Sequence, residues 1–420
     1  MPLKEKPNKV GQHLLIIGFV WPEPNSSAAG SRMIQLIKLF KDFGYEITFA
    51  CAAKTTSNTF NLNQLGIDTA DIKLNDSSFD TFIATLNPDV VIYDRFMIEE
   101  QYGWRVCEQC PQTLRILDTE DFHGLRKARA LALKANTKVL PEHLYNDTTK
   151  REIAALLRCD LSLVISEAEM KILSSTFKID ERLLHYLPFL VSPISKAEQQ
   201  HLPEFNERSH FITVGNFLHP PNYDAVLHLK HQIWPLVKSK LKKAELHIYG
   251  AYGSEKVQQL HNPEEGFIIK GYTEDINEVM KKAKVCLAPL RFGAGLKGKI
   301  IDAIQNGTPC AMTTIAAEGM FGDLPPNGCV EDDVLQFAQQ CVTLYESEAL
   351  WNRCQLNGFK IISERFNKRH FHQALHHRLE ALQQNIDTHR ENNFIGQVLQ
   401  HQSLQSSRYL SKWIEEKNKR

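Results

Sequence analysis

In Leu287–Pro309, LAPLRFGAGLKGKIIDAIQNGTP, apolar, glycine-rich and helix-patterned residues follow one another. Val285–Leu290 is a short apolar run with the length and composition of a buried strand. Pro289 and then Arg291-Phe292-Gly293-Ala294-Gly295 end it, and the glycines permit a tight turn and a close backbone approach. From about Lys297, Ile300, Ile301 and Ile304 fall at helical spacing, and Gly307 and Pro309 supply a stop. Strand, glycine-rich loop and helix in that order bring backbone N–H groups and a positive helix end to one spot, which suits a phosphate. Arg291, Lys297 and Lys299 add cationic side chains there. The same residues also suit an ordinary strand-to-helix turn with surface lysines.

This stretch resembles the nucleotide-sugar donor site of glycosyltransferase family 4, retaining enzymes built from two Rossmann-like domains, the GT-B fold. Asp302-Ala303-Ile304-Gln305-Asn306-Gly307-Thr308-Pro309 matches the family's E-A-x-x-x-G-x-P segment, with Asp for Glu. The first of the family's two glutamates would fall at Ala294. The chain looks instead like the subgroup with a G-x-x-x-K loop, here within GAGLKGK. Thr313–Met320 continues the resemblance, which is specific over about residues 205–330 and looser before them.

Moving a sugar off a nucleoside diphosphate develops charge on the leaving pyrophosphate, so fixed cations or N–H dipoles are needed beside it. The candidates on the donor side are Arg291, Gly293, Gly295, Lys297, Gly298 and Lys299. Lys297 leads, as a catalytic candidate too, because it lies between glycines where the loop must approach its ligand. Asp302, read at the helix start, can accept from ribose hydroxyls or merely complement the helix dipole. Glu318 can reach the same ligand or cap a turn. The resemblance alone implies retention, by attack on the donor's own face assisted by its phosphate.

The chain has 420 residues, which suggests about two domains. Its 43% hydrophobic and 23% charged content is ordinary for a globular protein. Forty-nine basic residues balance forty-nine acidic ones, which counts against a nucleic-acid partner. The first apolar run, Leu14–Val20, is too short to span a bilayer, and the N-terminus lacks a signal-peptide layout. The expectation is a cytoplasmic protein that touches the inner membrane face at most peripherally. Nine cysteines are scattered. Cys107 and Cys110 form the one close pair, without a second pair at metal spacing. No metal motif occurs and the loop of the first βαβ unit carries no G-x-G-x-x-G fingerprint, so neither a metal nor another cofactor is expected.

Strand-like and helix-like segments alternate along the chain. His13–Phe19, a small-residue loop, a helix around Met33–Phe40 and Tyr45–Cys51 form a βαβ unit. Strands follow at Asp89–Tyr93, Leu114–Leu117, Leu161–Ile165 and Leu184–Phe189. The polar segment Ser195–Ser209 reads as a linker. The pattern then restarts with Phe211–Val214, Glu245–Tyr249, Gly266–Lys270 and Val285–Leu290. The expected architecture is α/β, with two doubly wound, Rossmann-like domains facing a cleft. Residues 1–195 form the acceptor domain and 205–366 the donor domain. Residues 367–420 form a helical segment that the resemblance returns in part to the first domain. Residues 1–10 read as frayed and Lys417–Arg420 as a ragged basic end; the last thirty or so residues leave a partner or membrane contact open.

In the first domain, two strands end in polar clusters, Asp94-Arg95 and Asp118-Thr119-Glu120-Asp121-Phe122-His123. A buried strand rarely leads into so many ionisable groups without a cleft to receive them. His123 is the second catalytic candidate, placed to orient or deprotonate an acceptor hydroxyl, although a lone His is more often structural. Ser26, Ser27, Gly30, Asp94, Arg95, Asp118, Glu120 and Asp121 are the acceptor-side candidates. In the restart loop, Asn222 reads first as an N-cap, and Asn222 and Asp224 match a P-P-N-x-D-A-V variant of the family's loop. The leading expectation is a retaining glycosyltransferase of glycan or cell-surface polysaccharide assembly. Its partners would be a nucleotide sugar and a carbohydrate or lipid-linked acceptor. The alternatives are a nucleotide-sugar epimerase of the same architecture and a non-catalytic sugar-nucleotide-binding partner.

Overall fold

The structure, a computed structural model, describes residues 11–418. The expectations for residues 1–10 and for the last two residues of the basic end lie outside them. The first sheet has seven parallel strands: β1 His13–Gly18, β2 Glu46–Cys51, β3 Asp68–Asp71, β4 Val90–Asp94, β5 Leu114–Asp118, β6 Leu161–Val164 and β7 Leu184–Tyr186. Their order is β3-β2-β1-β4-β5-β6-β7. The second sheet has six: β8 Ser209–Val214, β9 Leu246–Tyr249, β10 Phe267–Gly271, β11 Ala283–Ala288, β12 Cys310–Met312 and β13 Gly328–Val330. It is also parallel and ordered β10-β9-β8-β11-β12-β13. The two expected Rossmann-like domains are therefore present. In each, the order reverses beside the first strand, and this switch point opens a crevice at the carboxyl ends.

Continuous apolar strands follow from burial on both faces. Leu14, Ile16, Val90 and Ile92 enter one core layer of the first domain, and Leu15, Ile17, Val91 and Tyr93 the other. The second sheet alternates likewise, with Ile212, Cys286 and Met312 on one side and Phe211, Val285 and Leu287 on the other. Three strands had no readable signal. Edge strand β3 is DTAD with no fully buried residue, and β12 and β13 are three residues each. The segment read as a linker starts with helix Lys196–Gln200, held by a capping box of Ser195 and Glu198. Cys107 and Cys110 are free, as are the other seven cysteines.

After the second domain the chain crosses back. Val191 N donates to Phe366 O at 2.8 Å, and Lys368 N donates to Val191 O at 3.0 Å. Helix Lys368–Gln384 then inserts Leu375, Leu379 and Leu382 into the layer that holds Leu14 and Leu39. Arg390 grips the buried Asp160 with Nε and Nη2 at 2.8 Å each and bonds Thr113 O at 2.7 Å. Helix Phe394–Asn418 lies on helices Phe96–Gln109 and Asp147–Arg158, with Ser411 Oγ 3.2 Å from Arg105. Among the described residues no helix is long and apolar enough to cross a membrane.

Leu379 is remote in sequence from the first domain, yet it is only 1% exposed in that domain's core. Leu379→Ala should therefore cost about 2–5 kcal/mol in urea-induced unfolding, the range for a buried leucine. A loss below about 1 kcal/mol would mean that this helix is not part of the core.

Candidate active site in the interdomain cleft

The loop after β11 meets the first domain directly. Gly293 and Gly295 have φ of 149° and 64°, a region that side chains disfavour. A Cβ on Gly295 would lie 2.8 Å from the Cβ of Asp121, and one on Gly298 would lie 2.6 Å from that of Ala28. Gly295 and Gly298 thus let the two domains touch. Ala294, where the family's first glutamate would fall, packs in the first domain's core layer with Phe122 and Leu125. A glutamate there would have to bury its charge in apolar surroundings.

Helix Gly298–Gln305 follows, and no side chain caps its N-terminus. The Lys297 ammonium, at its N-cap, is 3.0 Å from Ala294 O and also bonds Gly295 O. Burial lowers its pKa to about 8, against the opposing pull of Glu318. Lys299 donates to Asn222 Oδ1 at 3.0 Å, and burial lowers its pKa to about 8 as well. Asp302 is not at the helix start. It is the fifth residue of the helix, whose first turn holds no acid, so the dipole role expected for it fails. Burial raises its pKa to about 7, with Lys299 opposing. Arg291 is paired with Asp224, Nε to Oδ2 at 2.9 Å. Asn222 is not an N-cap either. Pro220 and Pro221 start helix Pro220–His228, so His219 takes the cap position. The Asn222 amide instead donates to Asn216 O at 3.1 Å.

On the first-domain side, Ser27 caps helix Ala28–Asp42 by accepting from Gly30 N at 3.0 Å. Gly30 allows that turn, since a Cβ there would meet the Glu23 backbone at 2.4 Å. Arg32 from the same helix bonds the fully buried Asp118 through Nε and Nη2, at 3.1 and 2.8 Å. Asp94 accepts from Phe19 N at 2.9 Å, and Arg95 lies over the Phe19 ring with φ of 72°. Glu120 has φ of 60°, and burial together with Asp118 raises its pKa to about 8. Asp121 is held low despite burial, because His123 and Arg126 face it.

His123 opens helix His123–Lys134, a helix whose N-terminal amides are held by Glu152. His123 N and Gly124 N donate to Glu152 Oε1 and Oε2 at 3.1 and 3.0 Å. The imidazole Nδ1 lies 2.8 Å from Asp121 O, and the ring stands edge-on to Phe96. Burial would lower its pKa, but Asp121 and Glu152 outweigh it and raise it.

Several residues that bridge the cleft were not legible in the sequence. Glu169 Oε1 accepts from Phe122 N at 2.9 Å and from Gly295 N at 2.7 Å, tying both domains to one carboxylate. Its one sequence signal misleads: Ser166-x-x-Glu169 has the form of a capping box, yet Ser166 makes no cap bond. Arg129 bonds Glu318 at 2.9 and 2.6 Å and Gly293 O at 2.8 Å. Arg126 is 3.3 Å from His219 Nε2, and Tyr252 Oη is 2.8 Å from each carboxylate oxygen of Glu23. Six buried polar atoms around these strand ends have no hydrogen-bond partner among the described residues: Ser26 Oγ, Asp94 Oδ1, Asp118 Oδ2, Glu120 Oε1, Ser166 Oγ and Glu169 Oε2. Such atoms cost roughly 1–3 kcal/mol each unless paired, and a polyhydroxyl ligand offers the missing partners. No group of three or more His, Cys, Asp or Glu side chains that could hold a metal occurs among the described residues.

With this geometry in hand, three likenesses bear on the chain. The structure of sucrose-phosphate synthase from Thermosynechococcus elongatus matches with a TM-score of 0.64 at 13% identity, over 88% of this chain and 99% of that one. Anabaena HepE, solved in complex with UDP and glucose, matches with a TM-score of 0.66 at 15% identity, over 88% and 99%. The pneumococcal O-GlcNAc transferase GtfA, in complex with UDP and GlcNAc, matches with a TM-score of 0.65 at 12% identity, over 89% and 99%. No curated protein matches by sequence. The fold is that of the GT-B glycosyltransferases, and residues 208–347 match the family model described as glycosyl transferases group 1.

Proposed function

We propose that the protein is a glycosyltransferase that moves a sugar from a nucleoside-diphosphate sugar to an acceptor hydroxyl with retention. The observation that carries this reading is the loop Gly293–Lys297 and its uncapped helix, set with the buried Lys297 and half-buried Lys299 against a first-domain rim of carboxyls that each keep one buried oxygen without a hydrogen bond among the described residues. N–H groups of the loop and helix start, with Lys297 and Lys299, hold the diphosphate and take up charge as it leaves. Asp302 receives ribose hydroxyls. Arg291 and Glu318, engaged by Asp224 and Arg129, shape the loop's surroundings. Acceptor hydroxyls pair with Ser26, Asp94, Asp118 and Glu120, and His123 orients or deprotonates the reacting one. The acceptor is a carbohydrate or lipid-linked carbohydrate, and the setting is glycan assembly on the cytoplasmic side of a membrane. Release of nucleoside diphosphate only when acceptor is added distinguishes transfer from epimerisation and from non-catalytic binding.

Lys297→Ala should weaken nucleoside-diphosphate binding, measured by calorimetry, by about 1.5–3 kcal/mol, the range for a hydrogen bond to a charged group. Unchanged affinity in a folded variant would remove Lys297 from the site. The pH dependence has a definite sign. Both lysines have pKa lowered to about 8, and a bound diphosphate favours their charged form. Affinity should thus hold below pH 8 and fall as pH rises above it. Lys297→Arg, which stays protonated, should make that fall shallower.

His123→Ala should reduce turnover by about a hundredfold or more and leave nucleoside-diphosphate affinity nearly unchanged. A parallel loss of diphosphate affinity would place His123 on the donor side instead.

A further inference from the structure

A groove of about 730 Å³ lies away from the cleft, between the C-terminal half of helix Ala28–Asp42 and the start of helix Lys368–Gln384. Its rim carries Lys38, Lys368, Arg369, His372 and His376, against one carboxylate, Asp42. Among the described residues the side chains of Lys38, Lys368 and Arg369 enter no ion pair. Its floor is apolar, made by Leu39, Leu190 and Phe43. The Phe43 ring stands edge-on to the His372 ring and tilted to the His376 ring, with centroids 4.7 and 4.8 Å away. Three cations that enter no ion pair among the described residues thus line one groove together with apolar side chains. The volume lies in the small-molecule range. Lysine and arginine side chains both suit the oxygens of a phosphate.

We propose that this groove is a second binding site, for a small ligand that carries a phosphate on an apolar or ring-shaped body. Lys38, Lys368 and Arg369 take the phosphate, and the body lies on Phe43, Leu39 and Leu190. The walls give the site its reach. One is the crossover Leu190–Ser192 with Lys368 and Arg369, through which the second domain joins the first. The other is the helix whose opposite end, at Ala28, abuts Gly298. An occupant therefore touches both elements that space the two domains.

The test is hydrogen–deuterium exchange on the full chain with pyrophosphate as the probe, read by peptide. Pyrophosphate should slow exchange in peptides covering residues 35–43 and 368–377. The K368Q/R369Q double variant should need about tenfold more pyrophosphate or above for the same protection there, since it loses charge-assisted hydrogen bonds. Both residues are exposed, so the variant should fold. Peptides covering 291–299 report the cleft separately, and their response bears on the glycosyltransferase reading alone. A parallel arm uses phosphatidylglycerol vesicles. Protection by pyrophosphate alone assigns a soluble ligand, and protection by vesicles assigns a lipid phosphate. Absence of protection in both arms, or protection of the double variant at unchanged concentration, overturns the site.

Discussion

One carboxylate, that of Glu169, determines how the two domains meet. It is fully buried and accepts from Phe122 N of the first domain and Gly295 N of the second through the same oxygen. Burial raises its pKa to about 8, and Asp121 adds to the effect, so near neutrality the group is mostly protonated. A neutral acid still accepts both bonds and avoids the cost of an unpaired buried charge. With the loop pinned at Gly295, Ala294 reaches the first domain's core, and Arg129 is in range of both Gly293 O and Glu318. Further cross-domain contacts pair Arg126 with His219, Glu23 with Tyr252 and Glu167 with Arg365.

The cleft is electrically divided, and burial perturbs its two sides in opposite senses. First-domain carboxyls such as Asp94 and Glu120 have raised pKa, while Lys297 and Lys299 on the second domain have lowered pKa. Each group is thereby less charged than it would be in water. A diphosphate would restore charge on the lysines, and hydroxyls would satisfy the carboxyls without requiring their ionisation. The division suits a ligand with an anionic end and a hydroxylated end. The fold alone does not supply this match; it comes from which residues close each strand.

How much of this could be read beforehand follows from the range of each interaction. Strands buried on both faces, such as Leu14–Ile17, announce themselves through continuous apolar runs, and so does the loop that ends β11. Short strands such as Cys310–Met312 do not, because three residues carry no period. Local chemistry also misled where neighbours override it. Asn222 has an N-cap side chain, but two prolines before it start the helix earlier. Asp302 reads as a first-turn acid only if the helix starts later than Gly298. Glu169, Arg126 and Arg129 were illegible for a different reason. The partners they take in the other domain lie far off in sequence, and no spacing within one segment encodes such a contact.

The departure at Ala294 gains a physical sense from the same contact. Ala294 is small enough to enter the first domain's core, which a glutamate could do only by burying its charge. A carboxyl group nevertheless stands at this end of the loop. Glu169 delivers it from the first domain to the amide of the next residue, Gly295, at 2.7 Å. One oxygen is committed to backbone amides, and the other is buried without a hydrogen-bond partner among the described residues. The loop after β11 thus meets a carboxyl group carried by the first domain, and only when the domains are together. On that arrangement the loop's conformation and the closure of the cleft are set by one interaction, and a side chain at position 295 would oppose both at once.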